Sequence, residues 1–107
     1  MSQRNRKVWY SFPAKKDLEE ISTDLLERAS QTVSEDMAMK ITLACAELSH
    51  QALLRRERAE FLPGIRLRLV LPYVIFYRVS GKEVEIVRIL HGRRDLKSVF
   101  RKERDGI

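Results

Sequence analysis

The sequence predicts an α+β domain in the order β-α-α-β-β-β, and three observations carry that prediction. Two stretches place apolar residues at helical spacing, three later stretches read as strands by alternation or by β-branched and aromatic content, and Pro or Gly marks the boundaries between them. Neither helix can bury its apolar stripe alone, so a helical hairpin packed on a sheet is the economical arrangement. A chain of 107 residues has room for one such domain, expected to span 1–107 with a core at 7–96 and flexible ends at 1–6 and 101–107.

Residues 7–12 (KVWYSF) are rich in β-formers and read as a first strand. Pro13 then stands where a helix can begin, because proline is tolerated in a first turn. Ala14, Leu18, Ile21, Leu25 and Ala29 follow at spacings of four, three, four and four, one face of an amphipathic helix. Residues 31–34 are a break: Thr32 with Glu35 fits a capping box, and Ser34 followed by Glu35 and Asp36 is an equally good start. A second stripe runs through Met37, Ile41, Ala44, Cys45, Leu48 and Ala52, and the helix is expected to reach about Glu57.

Pro63 and Gly64 end the helical region. Ile65, Leu67, Leu69 and Leu71 then alternate with Arg66 and Arg68, placing the leucines on one strand face and the arginines on the other. After Pro72, residues 73–79 (YVIFYRV) are almost continuously apolar and suit a central strand covered on both faces. Ser80-Gly81-Lys82 is a tight-turn signal and residues 83–91 return as the partner strand. An even loop puts Arg78 on the face of Glu85, Val87, Ile89 and His91, as a cross-strand ion pair with Glu85, and Arg88 on the face of Tyr73, Ile75 and Tyr77. A bulge would exchange these groupings. The tail after Gly92 is expected to add at most a short helical turn.

Charge is unevenly placed. The chain carries 21 Lys+Arg and 15 Asp+Glu, and residues 61–107 hold 11 basic against 5 acidic residues, the entire +6. Eight of those basic residues are arginines, whose planar fork suits carboxylates and phosphates, so an acidic partner surface or nucleic acid is expected. A lone cysteine, Cys45, excludes an internal disulfide and reads as a core residue. With His50 and His91 far apart, no metal-ligand spacing exists, and no cofactor is expected. No apolar run reaches membrane-spanning length and no signal-peptide core follows the basic start, which leads us to expect a cytoplasmic chain with no membrane partner.

Four stretches together resemble the RelE/ParE toxin superfamily, in its ParE-like branch. They are Ser11 with Ala14, Asp17, Leu18 and Ile21; Pro63-Gly64-Ile65-Arg66; residues 72–78 (PYVIFYR); and residues 87–95 (VRILHGRRD). The resemblance implies a helical hairpin packed on a small curled antiparallel sheet. It also implies a toxin of a type II toxin–antitoxin pair that inhibits growth and takes part in plasmid stabilization. ParE-like members act on DNA gyrase; RelE-like members are ribosome-dependent endoribonucleases. A cognate antitoxin with an acidic or amphipathic C-terminal segment is the implied partner, expected to cover the Arg66–Arg68 strand or the groove of the hairpin.

RNA cleavage needs a base for the 2′-OH, an acid for the leaving oxygen and cations for the phosphorane. Arg66, Arg68, Arg88, His91 and Arg93 are the candidates for that alternative. His91 is expected to have no tyrosine nearby, since the last one, Tyr77, lies in mid-sheet and the tail offers Phe100. This weakens the acid–base set and favours gyrase over the ribosome as target, with Arg66, Arg68, Arg78, Arg88, Arg93 and Arg94 as candidate contacts to target or antitoxin. A degenerate toxin that keeps only antitoxin binding is the third reading.

Overall fold

The computed structural model describes residues 5–104, with side chains described through residue 101. Strand β1 (Lys7–Tyr10) leads into helices α1 (Phe12–Arg28) and α2 (Gln31–Gln51), and a single 3-10 turn (Ala52–Leu54) ends the helical region. Strands β2 (Ile65–Val70), β3 (Tyr73–Ser80) and β4 (Glu83–His91) and helix α3 (Leu96–Arg104) complete the chain. The sheet order is β1-β4-β3-β2, with β2, β3 and β4 antiparallel and β1 added in parallel along β4. Of the ends expected to be flexible, residues 1–4 and 105–107 lie outside the described residues.

Local chemistry sets the helix boundaries. Ser11 caps α1, its Oγ accepting the Ala14 N–H at 3.1 Å, and Pro13 occupies the first turn. The cap of α2 is Ser30 rather than Thr32 or Ser34, with its Oγ accepting from the Val33 N–H at 3.1 Å. Ser34 is buried inside the helix and donates to the Ser22 carbonyl, tying α2 to α1. α2 stops six residues short of Glu57, because the Tyr77 hydroxyl donates to the Ala52 carbonyl at 2.8 Å and Arg66 donates to the Arg55 carbonyl. Carbonyls that would have continued the helical ladder are thereby spent on the sheet.

The sheet divides the interior into two cores. Tyr73, Ile75, Tyr77, Val84, Ile86 and Ile89 pack against Ala14, Ile21, Ile41, Ala44, Cys45 and Leu48 of the hairpin. On the opposite face Ile65, Val74, Phe76, Val87 and Leu90 pack with Phe100 of α3. β3 is therefore covered on both faces, as its continuous apolar run requires. The tail is more than a turn: α3 is a nine-residue helix whose Phe100 is fully buried 4.6 Å from the Phe76 ring.

One bulge reorders the functional half of the sheet. The two-residue loop Gly81-Lys82 pairs Ser80 with Glu83 and Arg78 with Glu85, giving the expected ion pair at 2.9 Å. Tyr77 pairs with Ile86 but Phe76 pairs with Arg88, which leaves Val87 as the extra residue on β4. Beyond Val87 the alternation is exchanged, so Ile89 and His91 stand opposite Ile75 and Tyr73. The even-loop grouping thus holds before the bulge and fails after it.

Candidate functional site

Apart from Arg78, the candidate residues fall in three places. The first is the edge of the sheet at β2. Arg66 and Arg68 point to the helix side of the strand, where Val70 packs with the hairpin core. Both are tied down: Arg66 donates to the Arg55 carbonyl and lies 3.6 Å from Glu57, while Arg68 Nη2 meets Glu47 of α2 at 2.9 Å. They are not the open charged rim that alternation alone suggests. Their guanidinium groups and that of Arg55 surround the Tyr77 hydroxyl, whose pKa lies above its ordinary value chiefly through burial.

On the outer side of β2 runs a groove of about 590 Å³ that sequence reasoning did not single out. Phe61, Leu67, Leu69, Val74 and Leu96 give it apolar walls, and Arg55, Arg56, Arg58 and Arg68 give it charge. Arg58 is steered by Glu60 at 2.7 Å and lies over the Phe61 ring at 5.4 Å. The same contact holds the Glu60 carboxyl below the usual carboxylate range. Arg55 Nη1 and Arg68 Nε are buried without a hydrogen-bond partner among the described residues. The signal available in the sequence was the Arg55-Arg56-Glu57-Arg58 run just ahead of Pro63-Gly64.

The second place is the bulge. β1 covers the edge of β4 only as far as Ile86, and the N-terminal part of α1 covers the strand beyond that point. Ser11 Oγ donates to the Val87 carbonyl at 2.8 Å, and the buried Asp17 carboxylate accepts the Ile89 N–H at 2.9 Å. Asp17 also receives Arg88 through both guanidinium arms, at 2.7 and 2.9 Å. Arg88 therefore does not share the face of Tyr73, Ile75 and Tyr77 as the unbulged register would have it. A two-armed pair on a buried carboxylate fixes the bulge to α1.

The third place is the end of β4. His91 Nδ1 accepts the Arg93 N–H at 3.0 Å, leaving the proton of the neutral ring on Nε2. Contrary to the expectation of a histidine without a tyrosine, Tyr73 stands edge-on to His91 with 5.5 Å between ring centroids. The two border a cleft of about 160 Å³ with Asp17, Glu20, Asp24 and Arg94. Burial raises the Tyr73 pKa, so its phenol stays protonated at neutral pH. Arg93 and Arg94 are exposed on the turn after the strand, and Arg78, paired with Glu85, lies at the opposite end of the hairpin.

Cys45 is buried beside Tyr10, and burial pushes its thiol above the ordinary value, which makes it a poor nucleophile. Among the described residues no group of three or more His, Cys, Asp or Glu could hold a metal ion, and no helix is long and apolar enough to cross a membrane.

Residues 8–96 match the family model described as the ParE toxin of the type II toxin–antitoxin system parDE. The chain belongs to the ParE toxin family. Toxin ParE3 of Caulobacter vibrioides is 32% identical to this ParE-family chain over 91 residues, covering 85% of this chain and 91% of that protein. A solved chain of the chromosomal ParDE toxin–antitoxin system of P. aeruginosa superposes with a TM-score of 0.72 at 23% identity, covering 80% of this chain and 95% of the other. A chain of the RelBE2 toxin–antitoxin complex of Mycobacterium tuberculosis gives 0.56 at 22% identity, covering 81% and 98%. These two solved chains share the fold of this one.

Proposed function

We propose that this chain is a gyrase-directed toxin that acts by binding, without chemistry of its own, and is held inactive by a cognate antitoxin. Membership of the ParE family supports the toxin role and the antitoxin partner. The observation that carries the choice of target is the dispersal of the candidate cleavage residues. Arg66 and Arg68 are engaged on the helix side of β2, Arg88 is engaged by Asp17, and His91 with Arg93 stands at the end of β4. A phosphorane needs its cations and its acid–base pair around one atom. This arrangement offers two arginines at one edge and a histidine elsewhere.

One observation favours the endoribonuclease reading: the Tyr73–His91 pair is a histidine–phenol couple beside exposed Arg93 and Arg94. Against it, Tyr73 is only 5% exposed, which leaves its hydroxyl little access to a backbone of RNA. Inducing the chain without its antitoxin separates the readings. Gyrase-dependent DNA breaks with an SOS response are the expected result. Messages cut on stalled ribosomes, abolished by His91→Ala, would replace this reading with the second. Unaffected growth at confirmed expression would leave a chain that has kept antitoxin binding alone.

A further inference from the structure

We infer that the turn after β4 and the outer side of α3 form a binding surface for the phosphate backbone of double-stranded DNA, made by Arg93, Arg94, Lys97 and Arg101. That the duplex is the one held by gyrase rests on the gyrase-directed reading above; the surface itself does not. The strand arginines are spent inside the fold, since Arg66, Arg68, Arg78 and Arg88 each meet a carboxylate. The four cations of residues 93–101 differ: all are exposed, and none makes an ion pair among the described residues. Asp95, the one acid in that stretch, is turned to the backbone, its Oδ1 accepting the Ser98 N–H at 3.2 Å at the start of α3. Leu96, Val99 and Phe100 face the second core, which leaves Lys97 and Arg101, one helical turn apart, on the outer side.

The fold holds this surface in place by its backbone. The Arg93 N–H donates to His91 Nδ1 at 3.0 Å, the Arg94 N–H to the His91 carbonyl at 3.1 Å, and the Gly92 N–H to the Pro72 carbonyl at 2.9 Å. Lys97 and Arg101 stand about 6 Å apart along the axis of α3, close to two steps of about 3.4 Å between phosphates along one strand of a duplex. Towards α1 the surface ends at Glu20 and Asp24, which border the small cleft with Arg94, and Asp24 is itself paired with Arg28. A polyanion is thereby kept to the side away from α1. The surroundings separate a duplex from other acidic partners. A protein interface draws its affinity from a central apolar or aromatic anchor, and none of the large exposed apolar residues belongs to the turn or to α3. Single strands are held by stacking bases on open rings, whereas Phe100 and Tyr73 are buried. Free cations without an anchor or an open ring suit a phosphate backbone, contacted without regard to sequence.

The test titrates the full chain, without gyrase, against a short labelled duplex at several salt concentrations. Binding independent of sequence is expected, with log affinity falling against log salt at a slope of about −3 to −4 for four phosphate contacts. Arg94→Gln, Lys97→Gln and Arg101→Gln together should weaken binding at least tenfold and flatten the slope to about −1. Lys7→Gln, Lys40→Gln and Lys82→Gln remove the same charge from exposed positions away from α3 and should leave both nearly unchanged. Chemical acetylation of the wild-type chain needs no variant: the duplex should protect Lys97 but not Lys40 or Lys82. Equal weakening by the two triple variants would mean attraction by net charge alone and would overturn the site. So would an unprotected Lys97, tighter binding of a single strand of the same length, or no duplex binding at all. With gyrase and plasmid, the first triple variant should trap less cleaved DNA than wild type; trapping equal to wild type would overturn the site's part in toxicity while the gyrase reading stood. A wild-type chain that binds the duplex through this surface but traps no cleaved DNA would remove the gyrase reading and leave the surface.

Discussion

Deleting the Arg88 guanidinium would leave the Asp17 carboxylate, 6% exposed, without its cation in the seam between α1 and β4. Breaking a buried pair by removing one partner costs about 3 kcal/mol or more. Arg88→Ala is therefore expected to lower the stability read from urea unfolding by that much, and Asp17→Asn with Arg88→Met to cost less than the two single changes combined. A loss from Arg88→Ala below about 1 kcal/mol, the level of an exposed pair, would contradict the role given to it. Arg78→Ala is the control: its pair with Glu85 is 43% exposed on the arginine side, and the expected loss is a few tenths of a kcal/mol, about what a screened surface pair gives. Asp17 stood in the sequence as part of a resemblance. Its partner, 71 residues away, could not be read there, because no local pattern joins a helix carboxylate to a bulge.

Element by element, legibility in the sequence follows the range of the interaction. Helix α1, strand β3 and the Arg78–Glu85 end of the hairpin were readable because periodicity and a two-residue loop determine them locally. The end of α2 was not, because it is set by the Tyr77 hydroxyl from the sheet. The Tyr73–His91 contact was hidden for a specific reason. Counting back from Ser80 and Glu83 without a bulge puts Tyr73 opposite Leu90, and the extra residue Val87 shifts it to His91. Helix α3 was underestimated, since one aromatic in a charged tail gives little periodic signal. Phe100→Ala is expected to cost about 3–5 kcal/mol and to deprotect the amides of α3 before those of β3. Equal stability of that variant and wild type would mean that α3 is not part of the folded unit. Ser11→Ala, which removes both a helix cap and the bond to the Val87 carbonyl, is expected to cost about 1–2 kcal/mol in the same urea titration.

At the scale of the whole molecule, burial gives the fold an alkaline limit. The Tyr73 and Tyr77 hydroxyls and the Cys45 thiol all have pKa values raised above their ordinary 10.0 and 9.0, mainly by desolvation. A raised folded-state value means that the unfolded chain ionises first. Their contribution is complete at neutral pH, begins to fall as the pH passes 9.0, and is lost progressively as it climbs through the folded-state values. Unfolding midpoints recorded with tyrosinate absorbance should fall together above that point; a midpoint independent of pH there would contradict the burial of these groups. The C-terminal excess of positive charge, legible from the start, is partly consumed inside the fold by Asp17, Glu47 and Glu85. What remains open is the arginine-walled groove at the β2 edge and the Arg93–Arg94 turn. The most direct test of a toxin that binds rather than cleaves is purified gyrase with supercoiled plasmid and the purified chain. Accumulation of cleaved, protein-linked DNA that persists with His91→Ala is the expected result, and intact plasmid with fully active gyrase at saturating toxin would contradict it.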